Sequence, residues 1–165
     1  MCMPTPSDGG RREPHRLLVV DDDEPVRLLL RDAFSASYTV VTAADGYEAL
    51  AELREARPTV VLLDILMPGM DGVETLERIQ AFDPSIPVIM LTANQDEERA
   101  QATLIAGAFD YVRKPFDLDR LGRVIAAACA EAEPRRAEPV GRVELRGLAS
   151  LLVEWTPRGE RRSAR

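Results

Sequence analysis

Acidic side chains, one hydroxyl group and the only lysine of this chain each follow a short apolar run. Asp21 and Asp22 come after the first run, Asp64 after the third, Thr92 after the fourth and Lys114 after the fifth. Crowded carboxylates repel one another, and a set of oxygen ligands without nitrogen or sulfur favours a hard cation such as Mg2+. An ammonium and a hydroxyl group suit phosphate oxygens. Together these residue types indicate phosphoryl-transfer chemistry.

One carboxylate in this set is a candidate nucleophile. Asp64 stands alone at the end of its run, whereas Asp21 and Asp22 belong to a cluster of acids. An aspartate beside Mg2+, with lysine and threonine opposite, can accept a phosphoryl group and hold it as an acyl phosphate. Asp64 is therefore the predicted phosphoacceptor.

Five apolar runs must bring these side chains together. They are rich in Val, Ile and Leu without strict polar alternation, which is typical of parallel strands buried on both faces. The runs are residues 16–20, 38–41, 60–63, 86–91 and 109–112. Helical patterns separate them, so the chain is predicted to be α/β, with a doubly wound five-stranded parallel sheet and helices on both faces. Ligands of such sheets bind beyond the carboxyl ends of the strands.

Two of the helical patterns are clear. The first places Val26, Leu29, Leu30, Ala33 and Phe34 on one face, after acids that suit a first helical turn. The second has the same spacing and consists of Leu121, Val124, Ile125, Ala128 and Cys129. A turn followed by a helix start is predicted at Asp71 and Gly72.

Composition excludes several kinds of protein. The single histidine, His15, lies in a polar leader, which disfavours histidine-based catalysis and histidine-rich metal sites. Two cysteines are too few for a disulfide framework. No apolar run approaches the roughly 18 residues of a membrane span, and the first residues are not of signal-peptide type, so we expect a cytoplasmic protein that does not associate with membranes. The net charge is −7, and residues 1–131 carry 23 acidic against 13 basic side chains, so direct binding of nucleic acid by this main body is not expected.

The chain divides into four predicted parts. Residues 1–15 are a disordered leader, residues 16–131 a single domain, residues 132–142 a Pro-rich charged linker, and residues 143–165 a basic tail, partly ordered or disordered. The tail is too short for an independent output domain of usual size.

Four sequence blocks together resemble the receiver domain of two-component response regulators. They are LLVVDDDEP at 17–25, VLLDILMPGMDG at 61–72, MLTA at 90–93 and GAFDYVRKPF at 107–116. The blocks occur in order, and the resemblance covers about residues 16–131. It implies a flavodoxin-like receiver fold.

The resemblance also implies residue roles. Asp64 would take a phosphoryl group from a sensor histidine kinase or a histidine phosphotransfer protein. The implied Mg2+ ligands are Asp22 directly, Asp21 mostly through water, Asp64, and the backbone carbonyl of Leu66. Two further sets are the phosphate-binding pair Thr92 and Lys114, and the switch pair Thr92 and Tyr111. A cis peptide bond is expected between Lys114 and Pro115.

The function implied is a signalling switch rather than an enzyme with an external substrate. Phosphorylation would shift a conformational equilibrium, control a partner protein through the fourth helix, fifth strand and fifth helix, and support a phosphorylation-dependent homodimer. One alternative is a receiver-like docking module that works without phosphorylation. Another is a phosphohydrolase of the haloacid-dehalogenase type, whose Asp-x-Asp-x-Thr/Val signature fails at Pro25.

The sequence departs from the family pattern in two places, and each departure leads to a prediction. Leu66 and Asn94 occupy variable positions, two residues after Asp64 and Thr92, that in this family influence water attack on the acyl phosphate. Leu66 has no polar group to orient that water, so self-dephosphorylation is predicted to be slow. Phe109 stands where many DNA-binding regulators have an acid, so their charged dimer interface is not expected here.

Overall fold

The computed structural model describes residues 14–93 and 97–137, which form alternating strands and helices. The strands are β1 Arg16–Val20, β2 Thr39–Ala43, β3 Val60–Asp64, β4 Val88–Thr92 and β5 Asp110–Arg113. The helices are α1 Glu24–Phe34, α2 Gly46–Glu55, α3 Gly72–Phe82, α4 Glu97–Ile105 and α5 Leu118–Ala137.

All strand pairs in the sheet are parallel, and their order is β2-β1-β3-β4-β5. The order reverses at β1, where the chain first moves out to β2 and then returns past β1 to β3. The predicted five-stranded, doubly wound parallel sheet is confirmed. At such a reversal the connections leave the sheet in opposite directions and open a crevice beyond the carboxyl ends of the strands.

Side chains alternate between two apolar clusters, one on each face of the sheet. Leu18 and Val20 of β1 join the cluster that contains residues of α2 and α3, whereas Leu17 and Val19 join the cluster that contains residues of α1 and α5. The three central strands are buried from end to end apart from Arg16. Burial on both faces explains why their sequences are apolar runs.

Three strands are displaced from their predicted positions. β2 covers residues 39–43 rather than 38–41, because the Tyr38 amide donates a hydrogen bond to the Phe34 carbonyl and closes the turn after α1. β4 covers residues 88–92 rather than 86–91, because the Ile86 amide bonds to the Asp83 carbonyl in a turn. β5 is displaced by one residue, to 110–113 from 109–112.

The predicted helical face is confirmed on α5 and only partly on α1. The α5 face is buried at Leu121, Ile125, Ala128 and Cys129. On α1 the buried residues are Leu30 and Phe34, whereas Val26 is half-buried and both Leu29 and Ala33 are exposed. The buried stripe of α1 is therefore narrower than the pattern indicated.

Helix α5 continues to Ala137, which places the first residues of the expected linker 132–142 in a helix. Alanine, glutamate and arginine, which make up most of residues 132–137, are good helix formers. Residues 1–13 of the leader, Asn94 and the tail 143–165 lie outside the described residues. Within the described part, no helix is both long and apolar enough to cross a membrane.

Candidate functional site

The carboxyl ends of four strands bring the predicted site residues to one edge of the sheet. Asp21 follows β1, Asp64 ends β3 and Thr92 ends β4. Lys114 follows β5, and its amide donates a hydrogen bond to the Thr92 carbonyl at 2.7 Å. Parallel pairing therefore converts four distant positions into neighbours.

Lys114 bridges two buried carboxylates. Its Nζ lies 2.6 Å from Asp21 Oδ2 and 3.0 Å from Asp64 Oδ1. Asp21 is fully buried and Asp64 is 5% exposed. Charges this far from water require partners, so the ammonium compensates both acids at once.

A third carboxylate completes an acidic cluster. Ligand oxygens of Asp21, Asp22 and Asp64 all lie within 4.8 Å of one another, and Asp22 is exposed. All donors are oxygens, and one of them faces solvent, where Mg2+ keeps several waters. The donor set therefore fits Mg2+. We call Asp21, Asp22, Asp64 and Lys114 the acid centre.

The pKa of Asp64 reflects these surroundings. Burial raises the pKa of this carboxyl group from 3.8 to about 6, with smaller upward contributions from Asp21 and Asp22. The hydrogen bond from Lys114 and its charge act in the opposite direction. For Lys114, burial lowers the pKa, but the two carboxylates outweigh it, and the pKa of the ammonium is raised. The lysine is thus charged at neutral pH.

Asp21 has further contacts in the loop between β1 and α1. Its Oδ1 accepts a hydrogen bond from the Asp23 amide at 2.9 Å, and its backbone carbonyl accepts one from Arg27 Nη1 at 2.6 Å. Asp23 is the N-cap of α1 and lies outside the acidic cluster, as its predicted place in a first turn implies. The contact of Arg27 was not predicted, because a side chain that reaches a loop carbonyl leaves no mark in a hydrophobic pattern.

Gly72 lies against the backbone of Asp64 and Ile65, at the end of β3. Its amide donates to the Ile65 carbonyl at 2.9 Å, and a Cβ at this position would lie 2.7 Å from Ile65 Cα and closer still to the Asp64 carbonyl oxygen. Asp71 accepts a hydrogen bond from the Glu74 amide and caps α3, so the predicted turn and helix start are confirmed. The close approach of Gly72 to Asp64 is an additional role that the turn interpretation missed.

The remaining predicted residues lie around the acid centre. Thr92 is buried, and its hydroxyl group donates to the Ala93 carbonyl at 2.9 Å. Tyr111 is half-buried against the cluster of α2 and α3, and Leu66 is 45% exposed. The peptide bond between Lys114 and Pro115 is cis, as expected. The structure thus joins Lys114 directly to Asp21 and Asp64 and places Asp22 within 4.8 Å of both acids. Thr92 lies at the end of β4, the strand next to β3.

A parallel α/β sheet with paired acids and a lysine at its carboxyl edge defines a flavodoxin-like domain with an acidic ligand site. The family model described as response regulator receiver domain matches residues 17–126. The chain therefore belongs to the receiver-domain family of response regulators. Membership does not favour the phosphohydrolase alternative.

Curated relatives are response regulators of greater length. The chain is 42% identical over 115 residues to regulatory protein AtoC of Escherichia coli, covering 69% of this chain and 25% of that protein. It is 41% identical over 128 residues to the DNA-binding transcriptional regulator NtrC of Salmonella typhimurium, covering 74% of this chain and 27% of the relative. The chain thus spans about a quarter of these relatives.

Two solved structures are covered almost completely by their match to this chain. The receiver domain of NtrX from Brucella abortus is 35% identical with a TM-score of 0.67, over 69% of this chain and 98% of that one. A putative response regulator from Chloroflexus aurantiacus is 36% identical with a TM-score of 0.68, over 72% of this chain and 99% of that one. The receiver fold is confirmed.

Proposed function

We propose that this receiver accepts a phosphoryl group on Asp64, with Mg2+ bound at the acidic cluster, and that phosphorylation switches its conformation. The observation that carries the proposal is the contact of Lys114 Nζ with Asp21 and Asp64 beside a third carboxylate. This arrangement places positive charge on both sides of the nucleophile once a cation is bound.

Asp64 is suited to nucleophilic attack. Lys114 contacts Oδ1, and none of the described residues donates a hydrogen bond to Oδ2, so this oxygen is available. Attack forms the Oδ2–P bond while the P–N bond of a phosphohistidine donor breaks, and the histidine nitrogen leaves with the electron pair. With acetyl phosphate the P–O bond breaks and acetate leaves. With its pKa at about 6, Asp64 is mostly ionised at neutral pH.

The remaining groups have supporting roles in this proposal. Asp21, Asp22, Asp64 and the backbone carbonyl of Leu66 would hold Mg2+, which would neutralise charge on the transferring phosphoryl group. Lys114 and Thr92 bind phosphoryl oxygens. For Thr92 this requires its hydroxyl group to leave the Ala93 carbonyl, to which it now donates.

The switch follows from that movement. Thr92 pairs with Arg113, and Tyr111 pairs with Met90 in the same β4–β5 ladder. A hydroxyl group drawn towards the phosphoryl group vacates space beside β5, and the half-buried Tyr111 ring can turn inward. The response then passes to a partner protein or to a second copy of the chain. A sensor histidine kinase or histidine phosphotransfer protein supplies the phosphoryl group.

Acetyl phosphate tests the proposal on the full chain. With Mg2+, we expect the intact mass of the wild type to rise by one phosphoryl group, and an excess of EDTA to prevent this. Asp64→Asn removes the nucleophile and should show no adduct, whereas Asp32→Asn changes an exposed acid of α1 and should behave as the wild type. Light scattering of the same samples measures dimer formation.

An adduct on Asp64→Asn equal to that of the wild type would contradict the assignment of the phosphoacceptor. Absence of any adduct on the wild type, together with partner capture that is independent of acetyl phosphate, would instead support the docking-module alternative.

A further inference from the structure

Arg27 connects helix α1 to the backbone of the acid centre. It is the fourth residue of the helix, is half-buried, and donates from Nη1 to the Asp21 carbonyl at 2.6 Å. Its own amide donates to the Asp23 carbonyl at 3.1 Å in the first helical turn. Both the backbone and the side chain of Arg27 therefore fasten the loop between β1 and α1.

The carbonyl that Arg27 binds belongs to the peptide group between Asp21 and Asp22. Because a peptide group is planar, fixing its oxygen fixes the plane from which Asp22 departs. On the other side of Asp22, the Asp23 amide is held by Asp21 Oδ1 at 2.9 Å. Both peptide planes that flank Asp22 are thus restrained.

The side chain of Asp22 has no comparable restraint of its own. It is exposed, and among the side chains described, those of residues 14–93 and 101–132, none donates a hydrogen bond to its carboxylate. Its position 4.8 Å or less from the oxygens of Asp21 and Asp64 therefore depends on the backbone that carries it.

We infer that Arg27 is a positioning residue for the cation site, which holds the peptide group between Asp21 and Asp22 so that Asp22 faces the other two acids. The inference rests on the proposed Mg2+ site and extends it to a residue that contributes no ligand atom.

Electrostatics alone predicts the opposite effect of removing Arg27. The guanidinium group is permanently charged and lies next to the acid centre, so its loss makes the site more negative and favours a divalent cation. A positioning role predicts weaker binding, because residues that orient metal ligands typically contribute about 10-fold or more to affinity. The sign of the change therefore separates the two explanations.

Isothermal titration of the full chain with Mg2+ measures this sign. We expect Arg27→Met, which keeps much of the apolar stem, to raise the dissociation constant by about 10-fold. Arg27→Lys should recover at least half of that loss on a logarithmic scale, because an ammonium group can donate to the same carbonyl. Arg31→Met is the control, since Arg31 is on the same helix, is exposed, and forms its ion pair with Asp32 at 3.7 Å rather than with the acid centre.

Mg2+ binding by Arg27→Met that equals or exceeds that of the wild type would overturn the inference, as would an equal loss in Arg31→Met. Unfolding temperatures without Mg2+ identify a variant that does not fold, and Arg27→Gln then replaces Arg27→Met under the same criteria. Failure of the wild type itself to bind Mg2+ would contradict the proposed cation site, and is thereby distinguished from failure of Arg27 alone.

Discussion

The acid centre and the region around β5 differ in how firmly their residues are packed. In the acid centre, Asp21 has a partner for each side-chain oxygen and for its carbonyl, and β3 is buried throughout. The β5 side, which we define as α4 Glu97–Ile105 and β5 Asp110–Arg113, has one buried residue in its strand, Val112. Ile105 at the end of α4 is 89% exposed.

This difference matches the demands of chemistry and response. Phosphoryl transfer requires fixed positions of charged groups, which dense packing provides. A conformational response requires an alternative arrangement of similar free energy, and sparsely buried elements have the lowest cost of rearrangement. Lys114 links the two regions, since it directly follows β5 and contacts Asp21 and Asp64.

Removal of Lys114 should produce the largest loss of stability, because the lysine neutralises both buried acids. For Lys114→Met without Mg2+ we expect the free energy of unfolding to fall by about 3 kcal/mol, as when one partner of a buried ion pair is deleted. Urea unfolding measures this, and added Mg2+ should restore part of the loss. Arg123→Met on the exposed face of α5 is the control. A loss equal to that of the control would show that the acids do not depend on Lys114.

The ionisation of Asp64 should make stability depend on pH. Its pKa of about 6 in the folded state exceeds the ordinary aspartate value of 3.8, which applies to the unfolded chain. Between these two pH values the folded state keeps a proton that the unfolded chain has lost. Without Mg2+, stability therefore falls as pH rises from about 4 to 6, by at most ~3 kcal/mol, and then levels off. Asp64→Asn cannot ionise, so its advantage over the wild type should grow across this range. A difference in unfolding free energy between Asp64→Asn and the wild type that stays constant with pH would contradict the raised pKa of Asp64.

Gly72 and Gly122 test whether the backbone near the acid centre is more tightly packed than α5. Gly72→Ala places a methyl group against Ile65 and should lower the free energy of unfolding by about 2 kcal/mol. At Gly122 a Cβ would meet only Phe34 Cε1, at an ordinary 3.5 Å, so Gly122→Ala should raise it by about 0.5 kcal/mol. Thermal unfolding measures the stability change in both variants. Equal changes would show that the backbone near the acid centre is no more tightly packed than α5.

Leu66 should affect the lifetime of the acyl phosphate rather than the stability of the fold. Its 45% exposed apolar side chain offers no polar group to orient water. We expect Leu66→Asn to speed the loss of the phosphoryl group about threefold, or ~0.7 kcal/mol of barrier. The decay is followed by intact mass after removal of acetyl phosphate, with Leu29→Asn as an exposed control on α1. Equal or slower decay in Leu66→Asn would contradict the expectation.

Sequence patterns located the strand ends well enough to find the acid centre. Asp21, Asp64, Thr92 and Lys114 all lie at the ends of apolar runs, and a shift of one or two residues in β2, β4 or β5 leaves them at the same edge. Because the strands are parallel, their carboxyl ends lie at the same edge of the sheet. Each strand end therefore indicates the position of the site independently of the others.

Contacts to the backbone could not be predicted in the same way. The bond from Arg27 to the Asp21 carbonyl and the approach of Gly72 to Asp64 depend on loop conformation. Periodicity reports which side chains are buried, but it carries no information about where a carbonyl in a loop is directed. The exposed Leu29 shows the same limit, since its spacing fits a buried face that neighbouring elements do not cover.

Lys114 and Asp21 are separated by 93 positions in the chain. During synthesis the acids therefore emerge long before their ammonium partner. Lys114 reaches Asp21 and Asp64 only when β5, the last strand, has joined the sheet. A chain in which β5 has not yet formed therefore leaves these acids without their ammonium partner. The charge balance of the acid centre therefore depends on the last strand of the sheet.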